Sequence, residues 1–414
     1  MEALKLGGKV MKLVIVSEFF YPYRTGTQRI LTELAEDLVE YGLNIDVLTT
    51  KNSYREERKK VLKREEYKGI NIKRIFSTNR DRNKKIGRIL NYITFVISVF
   101  FNLLIKRDYD KILLVSNPPL VPYIGYLMKK IRGKNFIYLV HDVYPDVAEK
   151  LGVIKKDSII SKAMNYVNNK VYKNAEKVIV LGQDMKKVIE SKGTPSNRIE
   201  IITNWSDSKV IYEKEVGPGF SKAYEMMDKL NVLYTGNISE VHDIETIVDV
   251  ARKLKDDENI KFTFVGDGKK KPYILEVIKN EGLNNVQVLD YVFGEEYNSL
   301  LNCANAFIVS LGKGIEGLGV PSKTYSYMAA GKPIIAIMTR SCEIGNMVYE
   351  ENLGIQVESG NSKDIVSFIY DIKKNMCLYE EISNNVRRVF KDKYERRIVT
   401  KKFYNAIMND YKDI

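Results

Sequence analysis

Cysteine and histidine are nearly missing from this chain of 414 residues, which holds three of the first and two of the second. Cys303, Cys342 and Cys377 are widely spaced and odd in number. That argues against a disulfide framework and matches no metal-ligating pattern, and it fits a reducing, cytosolic compartment. With only His141 and His242 to work with, spacing supports no Ser–His or Cys–His pairing, so covalent nucleophilic catalysis is not indicated. No helix-turn-helix, zinc or RNA-binding signature is present. Met1 to Val10 lacks an apolar segment, so no secretory leader is expected, and Met11-Lys12 reads as the start of the folded part.

What is abundant is positive charge: 66 basic against 53 acidic residues, net +13. An anionic partner follows, whether a phosphorylated substrate, a membrane surface or nucleic acid. The length exceeds what one core usually supports, so two domains are expected. Leu13–Ser17 is a continuous apolar run, as in a buried parallel strand, and the loop Glu18 to Thr27 follows it. Next come a helix over Gln28–Tyr41, with apolar residues at helical spacing, and a strand over Ile45–Thr49. Runs at Ile112–Ser116, Phe136–Val140, Val178–Leu181 and Ile199–Thr203 extend a doubly wound parallel sheet over 11–205. Ser206 to Met227, with Gly217-Pro218-Gly219, reads as a linker (206–228). The pattern restarts in 229–385, with strands at Val232–Gly236, Phe262–Gly266, Val286–Leu289, Ala306–Leu311, Ile334–Ile337 and Ile355–Val357. A charged helix over Arg387–Tyr411 closes the chain, and 386–414 is expected to pack back toward the first domain. Two similar halves with a cleft between them suit a two-part substrate.

The stretch richest in chemistry is Glu316–Pro333, EGLGVPSKTYSYMAAGKP. Glycines at 312, 314, 317 and 319 leave the backbone free to lie bare against a ligand. Pro321-Ser322 starts a helix over Lys323–Ala330, Gly331 caps it, and Pro333 opens the next strand. A strand, a glycine loop and a helix amino end make an anion site, to which Lys323 adds a full charge. Spacing alone leaves an ordinary strand-to-helix turn open as well. Both histidines stand in strand-to-helix loops, His141-Asp142 directly after one strand and His242 past Gly236-Asn237. A role in ligand binding is expected for at least one.

Asp108-Tyr109-Asp110 has the look of an acidic metal-holding pair, but it leads straight into a strand, and a solvated lead-in is the favoured reading. Fourteen of the twenty residues from Ile86 to Ile105 are apolar, after the basic tract Arg80, Arg82, Lys84, Lys85 and Arg88. A membrane-spanning helix there would break the βαβ pattern. Two readings stay open: a helix packed on the sheet, or an interfacial helix whose basic flank meets anionic headgroups.

Taken in order, Tyr21-Pro22 with Gly26-Thr27, His141-Asp142, Tyr234-Thr235-Gly236-Asn237, Val265-Gly266-Asp267-Gly268 and Glu316–Pro333 resemble the family-4 retaining glycosyltransferases. These are α/β proteins of GT-B architecture, two Rossmann-like domains facing each other. The forms at 320–333 and 141–146 are similar to the L-fucosamine-type transferases of surface-polysaccharide synthesis. Those transferases move an N-acetylated amino-deoxysugar from UDP to a polyprenyl-diphosphate-linked acceptor. The resemblance implies Gly26 (beside Thr27) at the donor diphosphate, and His141 (beside Asp142) by the donor sugar. It implies that Glu316, with the backbone of Gly317, Leu318 and Gly319, holds sugar hydroxyls and phosphate, and that Val292 meets uracil. Gly236, Asn237, His242 and Gly266 complete the donor side. The chain departs from the pattern at Thr27, at Asn237 and His242 (where cations are usual), and at Ser326, where a second glutamate is usual. Lys323 and the helix start after Pro321 are expected to substitute.

The implied protein is a metal-independent hexosyltransferase without a cofactor. It would take a UDP-sugar and a lipid-linked glycan, and lie peripherally on the cytoplasmic face of the cell membrane, with no nucleic acid as partner. The alternatives are a GT-B enzyme with another nucleotide sugar and a soluble acceptor, a sugar epimerase of the same architecture, and a basic nucleic-acid-binding protein.

Overall fold

A computed structural model describes residues 10–23, 26–52, 60–82 and 84–408. The chain divides into two compact units, one of residues 1–203 with 400–414, the other of 204–399.

The first unit is built on eight strands: β1 (Lys12–Val16), β2 (Asn44–Thr49), β3 (Arg64–Tyr67), β4 (Ile70–Arg74), β5 (Lys111–Val115), β6 (Asn135–Val140), β7 (Lys177–Val180) and β8 (Ile199–Ile201). Their order is β3-β4-β2-β1-β5-β6-β7-β8, parallel except for the β3–β4 pair. Helices on a parallel sheet exclude water from both faces, so its central strands read as unbroken apolar runs. Every residue of β5 is buried, as are Leu13 to Val16. Helix α1 (Thr27–Glu40) joins β1 to β2 and turns Ile30, Leu31, Leu34 and Leu38 inward.

The β3–β4 hairpin has no counterpart among the apolar runs. The edge strand β3 (REEY) is polar, while β4 (INIKR), between β3 and β2, buries alternate residues including Ile70 and Ile72 and so forms no continuous apolar run. The two strands are joined by Lys68-Gly69, both at positive φ, a turn chemistry suited to a tight hairpin.

Helix α2 (Lys85–Ile105) has two unlike faces. Asn91, Phe95, Val99 and Leu103, four residues apart, are buried, whereas Ile86, Ile89, Leu90, Ile93, Ile97, Phe101 and Ile105 are exposed. The helix is long and apolar enough to cross a membrane by length and composition. Its polar interruption at Asn91 points inward: the side-chain amide donates to the Arg80 carbonyl, while its oxygen accepts from the Arg80 N–H and the Thr78 hydroxyl. The segment before the helix is thereby strapped to it.

The second unit has six parallel strands, β9 (Leu230–Thr235), β10 (Ile260–Val265), β11 (Val286–Leu289), β12 (Ala306–Ser310), β13 (Ile334–Ile337) and β14 (Gly354–Val357), in the order β11-β10-β9-β12-β13-β14. Its core joins Val232, Phe262, Phe264, Ile308 and Ile335 to the helix Ile244–Lys253 through Ile247 and Val250. The stretch 206–227 lies on this unit. The Tyr212 and Lys214 N–H groups donate to Asn298 and Asn302 of the helix Gly294–Asn302, and a short helix spans Pro218–Ala223.

The single helix expected over Arg387–Tyr411 is two, Met376–Val389 and Arg396–Met408, separated by a π-turn over Phe390–Tyr394. The break has a cause: the Tyr394 carbonyl and the Arg396 N–H bond to the backbone of Ser206, so they cannot continue a helical ladder. Residues 409–411 of that expectation lie outside the described residues. Beyond the break, Thr400 donates to Asp37 (2.8 Å), and Lys111 donates to the Ile407 carbonyl (2.9 Å), fastening residues 400–408 to the first unit.

Candidate functional site

In the second sheet the strand order turns at β9, between β10 and β12. Open α/β sheets take ligands outside the carboxyl ends of strands at such a point. The loops that leave β9 and β12 there are tied together. The Gly312 N–H donates to the Val241 carbonyl (2.7 Å), and His242 Nδ1 lies 2.7 Å from the Ser310 carbonyl. A carbonyl only accepts, so Nδ1 carries the proton and Nε2 keeps its lone pair. Burial, then repulsion from Lys323, pushes His242 down to about 3 against the effect of that bond. The ring is therefore neutral at neutral pH.

Lys323 begins the helix Lys323–Ala330, whose start has no side-chain cap and no acidic residue in its first turn. Its Nζ is fully covered, donates to no acceptor among the described residues, and lies 3.6 Å from the centre of the Tyr234 ring. Burial holds it well below the ordinary lysine range. Tyr234 is itself fixed, its hydroxyl donating to the Asn237 carbonyl (2.8 Å). Among the described residues no carboxylate pairs with the Lys323 ammonium, and burying a charge without a counter-ion costs several kcal/mol. Removing the Lys323 charge is expected to raise the His242 pKa, with burial still holding it below the usual histidine value. NMR titration of the ring in Lys323→Ala checks this.

Gly236 (φ 103) and Gly266 (φ 142) stand at the carboxyl ends of β9 and β10. A Cβ at Gly266 would lie 2.0 Å from the Gly236 carbonyl oxygen, and one at Gly236 would lie 3.8 Å from Lys323 Nζ. The two bare backbones hold the floor beside the ammonium. Gly266→Ala is expected to destabilise the protein by about 1–3 kcal/mol through overpacking, read as a lowered urea midpoint with unchanged slope.

Glu316, Gly317, Leu318 and Gly319 fall in the loop between β12 and the Lys323 helix, and the Glu316 carboxylate has no hydrogen bond or ion pair among the described residues. Ser326 is buried one turn along that helix, Asn237 is exposed, and Val292 is half-buried after β11.

In the first sheet the order turns at β1 and β5. Gly26 (φ 52) is the cap residue of α1, with open space where a Cβ would point, and exposed Thr27 opens the helix. His141 and Asp142 follow β6. Their N–H groups both donate to Ser116 Oγ at the end of β5 (3.1 Å each). Burial pushes His141 down to about 4 and Asp142 up to about 6. The His141 Nε2 is fully covered and has no partner among the described residues. Asp108 and Asp110 are at the opposite end of the sheet, before β5, where Lys12 and Lys106 pair with Asp108, and Asp110 accepts the Lys12 N–H.

The basic tract divides. Arg80 and Lys84 are exposed and Arg88 half-buried, while the Lys85 side chain lies outside the described residues. Arg82 turns inward instead, bonding to buried Glu18 with its guanidinium 4.4 Å from the Phe19 ring centre. Sequence reading passed over Glu18. Its position directly after the β1 run was the available signal, but its partner lies 64 residues on.

Two family models cover most of the chain: "Glycosyltransferase Family 4" over residues 24–209 and "Glycosyl transferases group 1" over 229–375. The probable glycosyltransferase WbjE of Pseudomonas aeruginosa is 30% identical over 283 residues, 67% of this chain and 69% of that protein. The putative colanic acid biosynthesis glycosyl transferase WcaI of Escherichia coli K12 is 22% identical over 418 residues, 96% of this chain and all of the other. Among solved structures, HepE of Anabaena in complex with UDP and glucose superposes with a TM-score of 0.73 at 15% identity, over 96% of this chain and all of that one. With two largely parallel α/β sheets, and with these relatives, the chain belongs to the family-4 glycosyltransferases and has the GT-B fold.

Proposed function

We propose that the protein transfers an N-acetylated amino-deoxysugar from UDP, with retention, to a polyprenyl-diphosphate-linked glycan in surface-polysaccharide synthesis. The observation that carries the donor half is Lys323, a covered lysine with no anionic partner among the described residues, at the turning point of the second sheet. Breaking the anomeric bond builds negative charge on the diphosphate, and a fixed cation beside a helix amino end meets that charge without reorganising. Neutral His242 offers Nε2 as an acceptor for a sugar hydroxyl. Glu316, with Gly317, Leu318 and Gly319, binds sugar and phosphate, Val292 and Ser326 serve the nucleoside end, and His141 contacts the donor sugar. The leaving phosphate takes the acceptor proton on the same face.

Support for UDP comes from HepE, solved with UDP and glucose. Support for a polysaccharide setting comes from WcaI, whose name places it in colanic acid synthesis. In this reading protein groups supply the positive charge, so turnover is expected to survive EDTA. A rate that falls on chelation and returns with added magnesium would replace Lys323 by a metal in that role.

The acceptor half rests on the unlike faces of α2. Its exposed apolar side, beside Arg80 and Lys84, suits the anionic cytoplasmic leaflet, where a polyprenyl acceptor resides. The deciding experiment is product analysis with a panel of UDP-sugars and a polyprenyl-diphosphate-linked acceptor. Transfer from UDP-N-acetylamino sugars supports the proposal. Release of free sugar only, or transfer solely to soluble acceptors, removes the lipid-linked part of it.

A further inference from the structure

Glu18 leaves the end of β1 at the turning point of the first sheet, the edge where open α/β sheets receive ligands. Its backbone is held firmly, the carbonyl accepting from the Thr49 hydroxyl (3.1 Å), the Thr50 hydroxyl (2.8 Å) and the Thr50 N–H (3.2 Å). The side chain is 1% exposed. One carboxylate oxygen, Oε1, accepts from Arg82 Nη2, while Oε2 is fully covered and has no partner among the described residues. Arg82 mirrors this: Nη2 is engaged, and its covered Nε has no acceptor among the described residues. Its guanidinium is also fixed, 4.4 Å from the Phe19 ring centre and 5.9 Å from that of Tyr92.

A buried acceptor and a buried donor on one ion pair, each lacking a partner, are costly unless something completes them. A group that donates and accepts at a single atom completes both, either an ordered water or a hydroxyl. Burial raises Glu18 to about 7 against the pull of Arg82, so the carboxylate gains from an added donor.

We propose that Glu18 and Arg82 form a positioning pair for a hydroxyl of the acceptor sugar, Oε2 accepting its proton and Nε donating to its oxygen. This rests on the transferase reading above and names the acceptor side of it. Placement within the first unit agrees. Glu18 follows β1 and His141 follows β6, with β5 between them, and two strand spacings are about 10 Å. Both stand at the same carboxyl edge of the sheet. The pair makes no bond to the reacting atoms; it orients the ring that carries the nucleophilic hydroxyl.

Octyl β-N-acetylglucosaminide serves as the probe, observed by saturation-transfer NMR in the presence of UDP. Wild type and Lys323→Ala are expected to show transfer to the sugar ring protons. Glu18→Gln, which turns the free acceptor into a donor, is expected to bind the probe at least about tenfold more weakly, since a hydrogen bond to a charged group contributes roughly 1.5–3 kcal/mol. UDP affinity by calorimetry is expected to stay at the wild-type value in Glu18→Gln and to fall in Lys323→Ala. Should Glu18→Gln fold poorly, the double variant Glu18→Met, Arg82→Met removes both charges together, a replacement that is often neutral for stability, and the same loss of probe binding is expected. Transfer equal in wild type and variants, or absent from wild type, overturns the proposal; the pair then closes into an ordinary two-point fork. Unchanged UDP affinity in Lys323→Ala sinks the donor reading and leaves this pair standing.

Discussion

Lys323→Met is expected to raise the melting temperature while cutting turnover by 10²–10³-fold. The two effects share one cause. In the wild type the ammonium is covered and, among the described residues, has no hydrogen-bond acceptor and contacts the Tyr234 ring 3.6 Å away. A cation–π contact of a desolvated group returns about 2 kcal/mol, less than the several kcal/mol that burying the ion costs. Methionine keeps a linear apolar stem over the same ring and removes the charge. A gain of about 1–2 kcal/mol follows, which at 2–4 °C per kcal/mol is a rise of a few degrees. The kinetic loss comes from the transition state, where removing a single pre-organised donor to a developing oxyanion typically costs 10²–10³ in kcat. Thermal unfolding and steady-state rates on the same preparation check both. A lower melting temperature with near-normal turnover would make Lys323 a structural cation and remove it from the diphosphate.

The sign with pH is fixed by the same burial. A lysine held below its ordinary range is stabilising in its neutral form. Its penalty is therefore greatest below its folded pKa and fades as pH rises through that value toward the unfolded one. The stabilisation by Lys323→Met is expected to shrink toward alkaline pH, and melting curves at pH 7 and pH 10 compare the two regimes.

That mixture of legible and illegible features has physical causes. A parallel sheet covered on both faces must be written in apolar runs, so β1, β5, β6, β12 and β13 could be found from the sequence. The helix Lys323–Ala330 and the strand Ile334–Ile337 fell at the expected residues, because Pro, Gly and an apolar run punctuate them. The β3–β4 hairpin was missed because β3 is a polar edge strand and β4 buries only alternate residues, so neither is written as an apolar run. The break at Phe390–Tyr394 was missed because its cause, a bond to Ser206, lies nearly two hundred residues away. The same distance problem hid the state of the charges. Lys323 was legible as a cation at a helix start, but that it has no partner depends on Tyr234, Gly236 and His242 arriving from another loop. Arg82 was grouped with its basic neighbours, and only the fold shows it turned onto Glu18.

The second large effect concerns α2. Ile93→Glu with Ile97→Glu is expected to abolish sedimentation with vesicles of 70% phosphatidylcholine and 30% phosphatidylglycerol, leaving unfolding by urea unchanged. Both side chains are exposed, at 43% and 51%, so neither contributes much to the core, and a carboxylate at either site stays in water. On a bilayer the same face is covered. Each isoleucine then contributes roughly 1.5–3 kcal/mol by leaving water, so the pair supplies a factor of about 10² or more before any repulsion between the new carboxylates and the lipid. Arg80 and Lys84 add about 1 kcal/mol each near an anionic surface, a part that salt screens and the apolar part is not. Raising salt from 0.1 to 0.5 M is therefore expected to weaken wild-type binding only in part. Arg82→Gln is expected to leave the vesicle affinity nearly intact, because that guanidinium is committed to Glu18. Binding that survives both glutamates, or that vanishes wholly with salt, would reduce the contact to basic residues alone and leave the apolar face of α2 without a lipid role.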